Sequence, residues 1–325
     1  MENKRDMSAL RRQELAHIAA FWLENVRKRI KESSYIKYGN LLKNHILPEL
    51  GELYVTEIST ERVDRFVRSK LLEGRRDHRG GLAEKTVKDI LAVLKEVCGF
   101  AVQLGYEIPC RFELIRLRQR ERQIRILDRE EQRALGAFLF QDEGLLKTGV
   151  LLSLYMGLRI GEVCALRREH IRYEEAVLQV RLTMQRIQDP EAHGGKRTKI
   201  IVTAPKSGKS LRDIPIPQPL FGRLLAFSED VPDNAYVLTG RPDRFIEPRT
   251  MENVFKRYLR ECHMPDINYH ALRHTFATRC IESGFDVKTL SEILGHANVN
   301  ITLNRYVHSS IERKRENMGR LQVLY

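Results

Sequence analysis

The stretch HALRHTFAT, residues 270–278, says most about how this chain folds. It begins a helix predicted over residues 270–283, in which His270 and Arg273 are three residues apart and so lie on one face. Further helices are predicted around it, over residues 250–262, 286–294 and about 301–306. A histidine and an arginine paired on a helix are more often structural than catalytic, so their meaning depends on the residues placed near them.

Two other short segments carry residues of the same chemical kind. GLRIGE, residues 157–162, places Arg159 at the start of a short helix, where the helix dipole favours an anion. LGH, residues 294–296, ends a helix with His296, and Tyr306 follows ten residues later. Cleaving a phosphodiester without a metal requires fixed cations, a nucleophile and an acid for the leaving oxygen. Guanidinium suits the first task because it is permanently charged and binds two phosphate oxygens at once.

The region before residue 270 shows a mixed pattern. Asp128 is predicted to cap a helix that runs through Leu139, and residues 144–156 predict an apolar, buried helix. Alternation of period two over residues 177–184, and two more strands over residues 199–203 and 210–216, predict a small antiparallel sheet. This sheet ends at a series of prolines: Pro215, Pro217 and Pro219.

The first hundred residues predict four helices that form a small bundle. The first carries an apolar stripe over residues 15–26, and the second is capped by Ser33 or Ser34 and stopped by Pro48. The third starts at Thr60, and the fourth covers residues 84–104. Residues 111–125 contain six arginines, which favours an extended basic linker, with a solvated helix as the alternative.

The expected architecture therefore has two domains. An all-α four-helix bundle, residues 1–108, is followed by the linker, residues 109–125, and by a mixed, mainly α domain with a small antiparallel sheet, residues 126–325. A chain of 325 residues is long enough for two hydrophobic cores.

The amino-acid composition indicates what kind of partner the protein binds and where it is found. Lys and Arg total 56 against 43 acidic residues, a net charge of +13 and a pI of about 9.6, which favours a polyanionic partner. A ribosome-associated or merely soluble basic protein is the alternative. The sequence has no apolar run of bilayer length and no signal-peptide pattern, so we expect a cytoplasmic protein without a membrane partner. Five widely spaced cysteines predict reduced thiols and no zinc site.

Taken in order, GLRIGE, HALRHTFAT, LGH and Tyr306 resemble the tyrosine recombinase (phage integrase) family over about residues 128–306. The N-terminal bundle resembles the core-binding domain of that family. The resemblance implies the tyrosine recombinase catalytic fold for the second domain. The segment TLNRYVH, residues 302–308, looks closer to mobile-element integrases than to chromosome-dimer resolvases.

The resemblance also implies roles for individual residues. Arg159 and Arg273 would bind the non-bridging oxygens of the scissile phosphate. His270 and His296 would hydrogen-bond the phosphate and support proton transfer. Tyr306 would be the nucleophile, giving a 3′-phosphotyrosyl bond and a free 5′-hydroxyl. No cofactor is implied, neither a metal nor ATP.

Two supporting groups follow from the same resemblance. Glu162 matches an acidic residue that steadies the arginine and histidine of the site. The family's general acid is a lysine between two strands, and APKSGKSLRDIP, residues 204–215, places Lys206 there, at the expected tip of a hairpin. Lys209 and Lys196 are alternatives. Tyr269 is predicted to pack in the core and not to act as a nucleophile.

The implied partners are double-stranded DNA, three further copies of the chain in a homotetramer on DNA, and possible DNA-bending or directionality factors. The implied function is site-specific recombination for integration or excision of a mobile element. The alternatives are a chromosome- or plasmid-dimer resolvase, a type IB topoisomerase-like activity, and a DNA-binding regulator with a relic site. The apolar residues of the tail after Tyr306 predict docking on a neighbouring protomer.

Overall fold

The computed structural model describes residues 13–75, 77, 79–117, 125–189, 192, 197–205, 208–228, 231–306, 315, 318 and 319, with the backbone alone for 228 and 304–306. The chain divides into two compact units, Met1–Arg122 and Gln123–Tyr325. No helix in the described part of the chain combines the length and hydrophobicity needed to cross a bilayer.

The N-terminal unit is helical, as predicted. Its helices are α1 (Leu15–Arg27), α2 (Glu32–Leu41), α3 (Leu47–Leu50), α4 (Thr60–Glu73) and α5 (Glu84–Gln103). The apolar stripes predicted from periodicity form one core, in which Trp22, Phe66 and Leu94 are buried. Helix α4 begins where expected, because the Ser59 side chain accepts a hydrogen bond from the backbone of Arg62.

The second predicted helix differs from its expected form at both ends. Lys31 is its N-cap and makes no side-chain cap, so the capping role predicted for Ser33 or Ser34 was wrong. Pro48 does not stop it. A π-helical turn, Leu42–Ile46, joins α2 to α3, and Pro48 falls in the first turn of α3, where a backbone N–H is not required.

The segment after α5 contributes to the same core. A 3₁₀ turn, Phe112–Leu114, is followed by irregular chain up to residue 117. Phe112, Ile115 and Leu117 are partly buried against the bundle. Residues 118–124, which complete the predicted basic linker, lie outside the described residues, so the linker stays a prediction.

The C-terminal unit combines helices with two small antiparallel sheets. Its first three helices are α6 (Arg129–Phe140), α7 (Leu145–Met156) and α8 (Ile160–Ala165). Asp128 caps α6 in a reciprocal pair with Glu131, and α7 is almost wholly buried; both features were predicted. Helices α9 (Gln218–Ser228), α10 (Pro248–Glu261), α11 (His270–Glu282), α12 (Val287–Leu294) and α13 (Val299–Tyr306) complete it. Helix α9 was not predicted from the sequence.

The antiparallel strands form two sheets, whereas the sequence predicted one. Strands β1 (Ile171–Arg172), β2 (Val177–Val180) and β5 (Arg212–Pro215) pair in the order β1-β2-β5. Strands β3 (Thr183–Gln188) and β4 (Thr198–Thr203) pair with each other. The continuous alternation over residues 177–184 thus spans a break between two strands. In particular, β4 and β5 pair with different strands and not with each other.

Candidate active site

Arg159 is the N-cap residue of α8, the position predicted for it. Its Nη1 atom donates to Glu162 Oε1 at 2.8 Å, and its backbone N–H donates to Glu162 Oε2 at 2.9 Å. Its Nη2 atom donates to the carbonyl of Gly295 at 3.2 Å. The side chain remains 35% exposed, so a ligand from solvent can reach a guanidinium whose position is already fixed.

Arg273 lies on α11 and is only 2% exposed. Its Nη1 atom donates to the carbonyl of Gly157 at 2.7 Å, and its Nη2 atom donates to the carbonyl of Leu294. Gly157 ends α7 with a φ of 69°, a conformation that favours glycine. A Cβ at this position would lie 2.5 Å from Phe276 Cδ1. Glycine therefore allows the close approach to α11 that brings this carbonyl to Arg273.

Glu162 and Arg212 form a buried ion pair next to Arg159. Arg212 donates from Nη1 to Glu162 Oε1 at 3.0 Å and from Nη2 to Oε2 at 2.8 Å, with side chains 5% and 3% exposed. Burial on its own would raise the pKa of Glu162. The hydrogen bonds from Arg212 and the charges of Arg212, Arg159 and Arg273 outweigh it and lower the pKa to about 2. Glu162 is therefore ionised at neutral pH.

The C-terminal end of α12 is bound by three arginines. The carbonyls of Ile293, Leu294 and Gly295 accept hydrogen bonds from Arg212, Arg273 and Arg159, in that order. The last carbonyls of a helix have no partner within it and carry partial negative charge, so cations stabilise this end. Gly295 turns the chain here with a φ of 62°, and a Cβ on it would lie 3.1 Å from Arg212 Cδ.

His296 follows this helix end directly and is half-buried. Its Nδ1 atom lies 2.8 Å from Oγ1 of Thr302, a fully buried residue of α13. This hydrogen bond orients the imidazole ring, whichever of the two groups donates. Lys209 donates to the carbonyl of Ala297 at 3.1 Å, so the segment before β5 also reaches the chain beside His296.

His270 is the first residue of α11 and is exposed. Its ring centroid lies 4.5 Å from that of His274, one helical turn later, with the ring planes at 86°. His274 itself is buried. His270 and Arg273 therefore share the first turn of α11, one at the surface and the other within the unit.

The structure thus brings together Arg159, Glu162, Arg273 and His296 around one helix end. Tyr306 is the last residue of α13, a helix that starts three residues after His296, but its side chain lies outside the described residues. Lys206 and the alternative Lys196 also lie outside them. The strands before and after Lys206, β4 and β5, belong to separate sheets and so do not form the hairpin predicted from the sequence; the role of Lys206 stays a prediction.

Tyr269 packs in the core, as predicted. It is 4% exposed, its hydroxyl lies 2.9 Å from Ser153 Oγ, and it donates to the carbonyl of Gly149 at 3.2 Å. Burial raises the pKa of this phenol far above its usual value. These features argue against Tyr269 as a nucleophile.

Two residues of this site, Arg212 and Thr302, were not predicted from the sequence. A signal for Arg212 exists in the sequence: it is two residues before the buried Ile214 on a strand, so both side chains point to the same face. Thr302 lies between Ile301 and Leu303, both partly exposed, and nothing in the local pattern distinguishes it.

Comparison with known proteins places this geometry in context. The model of the Phage integrase family matches residues 125–313, and that of the phage integrase N-terminal SAM-like domain matches residues 15–71. A tyrosine recombinase XerC-like protein of Caldanaerobacter subterraneus is 28% identical over 94% of this chain and 81% of its own length. The transposase from transposon Tn916 of Enterococcus faecalis is 28% identical over 60% of this chain and 51% of its own length.

Solved structures share the fold. The Tn1549 transposon integrase in complex with transposon right end DNA aligns with a TM-score of 0.74 at 20% identity, over 95% of this chain and 99% of that chain. A lambda integrase tetramer bound to a Holliday junction aligns with a TM-score of 0.63 at 16% identity, over 92% of this chain and 80% of that chain.

Proposed function

Because the chain belongs to the phage integrase family, we propose that it is a tyrosine recombinase that breaks and rejoins DNA at specific sites. The observation that carries this proposal is the cluster at the end of α12. Three arginines from other parts of the unit donate there to three consecutive backbone carbonyls. His296 and the helix that ends at Tyr306 follow these carbonyls in the chain. Relatives named as a tyrosine recombinase, a prophage integrase and a transposase support the same class of enzyme.

In the proposed reaction, Arg159 and Arg273 bind the non-bridging oxygens of the scissile phosphate. Negative charge on these oxygens increases in the pentavalent transition state, where fixed cations stabilise it most. Arg159 is the more accessible of the two, at 35% exposure. Arg273 lies below the surface, so its direct contact with DNA requires a movement of the surrounding chain.

The proposed bond changes are those of phosphoryl exchange. The Tyr306 oxygen attacks phosphorus, the bond from phosphorus to the 5′-oxygen breaks, and Lys206 gives that oxygen a proton. His270 and His296 hydrogen-bond the phosphate and support transfer of the tyrosine proton. Attack by a 5′-hydroxyl of another strand then restores a phosphodiester and the free tyrosine. One phosphate ester replaces another throughout, so this scheme needs neither ATP nor a metal.

The proposed partner is double-stranded DNA bound by four copies of the chain. The net charge of +13 supports binding to a polyanion, because each phosphate contacted by Lys or Arg releases condensed counterions. Exchange between two duplexes requires four cleavages, one per protomer, and passes through a Holliday junction. The lambda integrase tetramer on such a junction supports this assembly. DNA-bending or directionality factors belong to the same proposal.

The proposed biological role is integration or excision of a mobile element. The prophage integrase and transposase relatives support it. The XerC-like relative is named as a tyrosine recombinase, without a statement of its role, and resolution of chromosome or plasmid dimers is the alternative role for this chain. Both roles use the same chemistry. An assay distinguishes them by comparing the products of recombination between two sites on separate molecules with those between two sites in direct repeat on one plasmid.

The chemistry is tested with a nicked suicide substrate. Target sequences are first selected by binding from a random duplex library and then nicked close to the cleavage position. Cleavage then releases a short fragment with the free 5′-hydroxyl, religation is prevented, and the covalent complex accumulates. We expect wild type to form an adduct and Tyr306→Phe to form none. Tyr155→Phe is a matched control in the same unit and should form the adduct as wild type does. An adduct that survives in Tyr306→Phe contradicts the proposed nucleophile.

The same material separates the alternatives. Relaxation of supercoiled plasmid by monomers, without exchange of strands between two sites, would identify a type IB topoisomerase-like activity instead. Specific binding without an adduct at any selected site would identify a DNA-binding regulator.

A further inference from the structure

We propose that Arg212 is a positioning residue of the recombination reaction, whose guanidinium holds in register the three chain segments that carry the proposed catalytic groups. This inference rests on the proposed function. Arg212 is 8% exposed as a residue, and its Nε, Nη1 and Nη2 atoms all donate to protein groups. We therefore assign it a role through these neighbours.

The first segment is the start of α8. Arg212 binds both oxygens of Glu162, at 3.0 and 2.8 Å. Glu162 in turn accepts from the backbone N–H and the Nη1 atom of Arg159. The bidentate pair orients the carboxylate, and the carboxylate orients the most accessible guanidinium of the site.

The second segment is the end of α12. Nε of Arg212 donates to the carbonyl of Ile293 at 2.6 Å, three residues before His296. Gly295 passes so close that a Cβ on it would lie 3.1 Å from both Cδ and Nη1 of Arg212. The backbone that leads to His296 therefore lies directly against this side chain.

The third segment is the approach to β5. Nη1 of Arg212 also donates to the carbonyl of Ser210 at 3.1 Å. Ser210 ends the 3₁₀ turn Gly208–Ser210, which follows the segment of Lys206. Arg212 thus binds groups that lie 50 and 81 positions away from it in sequence, and it does so through several N–H donors with fixed directions.

Lysine cannot replace these contacts, although it keeps the charge. Its ammonium is a single point charge and does not bind two carboxylate oxygens and two carbonyls in one plane. The proposal therefore predicts that Arg212→Lys slows DNA cleavage, whereas an Arg→Lys substitution elsewhere in the unit does not. Arg223 offers the matched control, since it is a partly buried arginine of the same unit that donates to Thr148 Oγ1 and the carbonyl of Asp142.

The test compares wild type, Arg212→Lys and Arg223→Lys as full-length proteins. For each, we measure the affinity for the selected duplex and the single-turnover rate of adduct formation on the suicide substrate. We expect Arg212→Lys to bind DNA like wild type and to cleave about 100-fold more slowly, the effect of misplacing reacting groups by about 1 Å. Arg223→Lys should match wild type in both. Wild-type cleavage by a folded Arg212→Lys would overturn the proposal.

A second pair of variants separates positioning from neutralisation of Glu162. In a Glu162→Gln background, Arg212→Met no longer leaves a buried carboxylate unpaired, so the protein should fold. If Arg212 only neutralises Glu162, the double variant should cleave as fast as Glu162→Gln alone, and the proposal fails. We expect it to be at least about 10-fold slower, because the bonds to Ile293 and Ser210 are also lost. If wild type itself forms no adduct, the proposed function fails and this inference fails with it.

Discussion

Replacing Glu162 with glutamine keeps the size of a side chain that is 3% exposed and removes its negative charge. Despite the opposing effect of burial, the neighbouring arginines lower the pKa of this carboxyl from 4.5 to about 2. One pKa unit corresponds to about 1.36 kcal/mol, so ionised Glu162 stabilises the folded C-terminal unit by about 3 kcal/mol at neutral pH. Leaving arginines without their carboxylate in a buried site has a cost of about 3–5 kcal/mol. We expect Glu162→Gln to lose about 3 kcal/mol of unfolding free energy at pH 7.

The pH dependence of this loss provides the sharper test. The folded-state pKa of Glu162 is below the unfolded value, so the stabilisation is complete above about pH 4.5 and is lost as the pH falls towards about 2. Urea unfolding at pH 7 and pH 3 should therefore show a wild-type-to-variant difference that falls by more than half. Glu247→Gln is the control, because its ion pair with Arg186 is 25% and 41% exposed and is worth at most about 1 kcal/mol. An equal difference at both pH values would refute the reasoning.

Three further predictions concern the same unit. Gly157→Ala should lower Tm by at least about 4 °C, because a left-handed residue costs about 1–2 kcal/mol and the new Cβ also meets a neighbouring ring. Gly284→Ala, with a φ of 85° and open space around it, should lower Tm less, and an equal loss would contradict the role of the contact. Thr302→Val should slow adduct formation about 10-fold by releasing the His296 ring, whereas Thr302→Ser should retain the wild-type rate; a fast valine variant counts against this role. Duplex affinity should fall about 10³-fold between 50 and 200 mM salt, and filter binding showing little change would exclude extensive phosphate contacts.

Local patterns predicted most of the helices. The cap of α6 by Asp128, the buried helix α7 and the start of α4 at Thr60 depend on residues a few positions apart, which the sequence displays directly. The same holds for the positions of Arg159 and His296 at helix ends. The resemblance to a known family indicated that these separate segments belong to one site.

Features that depend on distant partners could not be predicted in this way. Period-two alternation marks β2 and β3 but does not reveal that they pair with different strands. Pro48 lies in the first turn of a helix that follows a π-helical turn, and the sequence does not show that π-helical turn. Arg212 binds groups 50 and 81 positions away, and no local rule reports such a contact. The roles of Lys206 and Tyr306 stay predictions, since their side chains lie outside the described residues.

The way the three arginines are held at the end of α12 has an energetic consequence. Carbonyl groups fix a guanidinium in place without cancelling its charge, whereas a carboxylate does both. Among the residues that the structure describes, Glu162 is the carboxylate that accepts hydrogen bonds from Arg159 and Arg212. The entropy lost in ordering these long side chains is therefore spent during folding. An anion that reaches Arg159 therefore meets a guanidinium that is already held in place. The hydrogen bonds at this helix end therefore affect the rate of the proposed reaction as well as the stability of the fold.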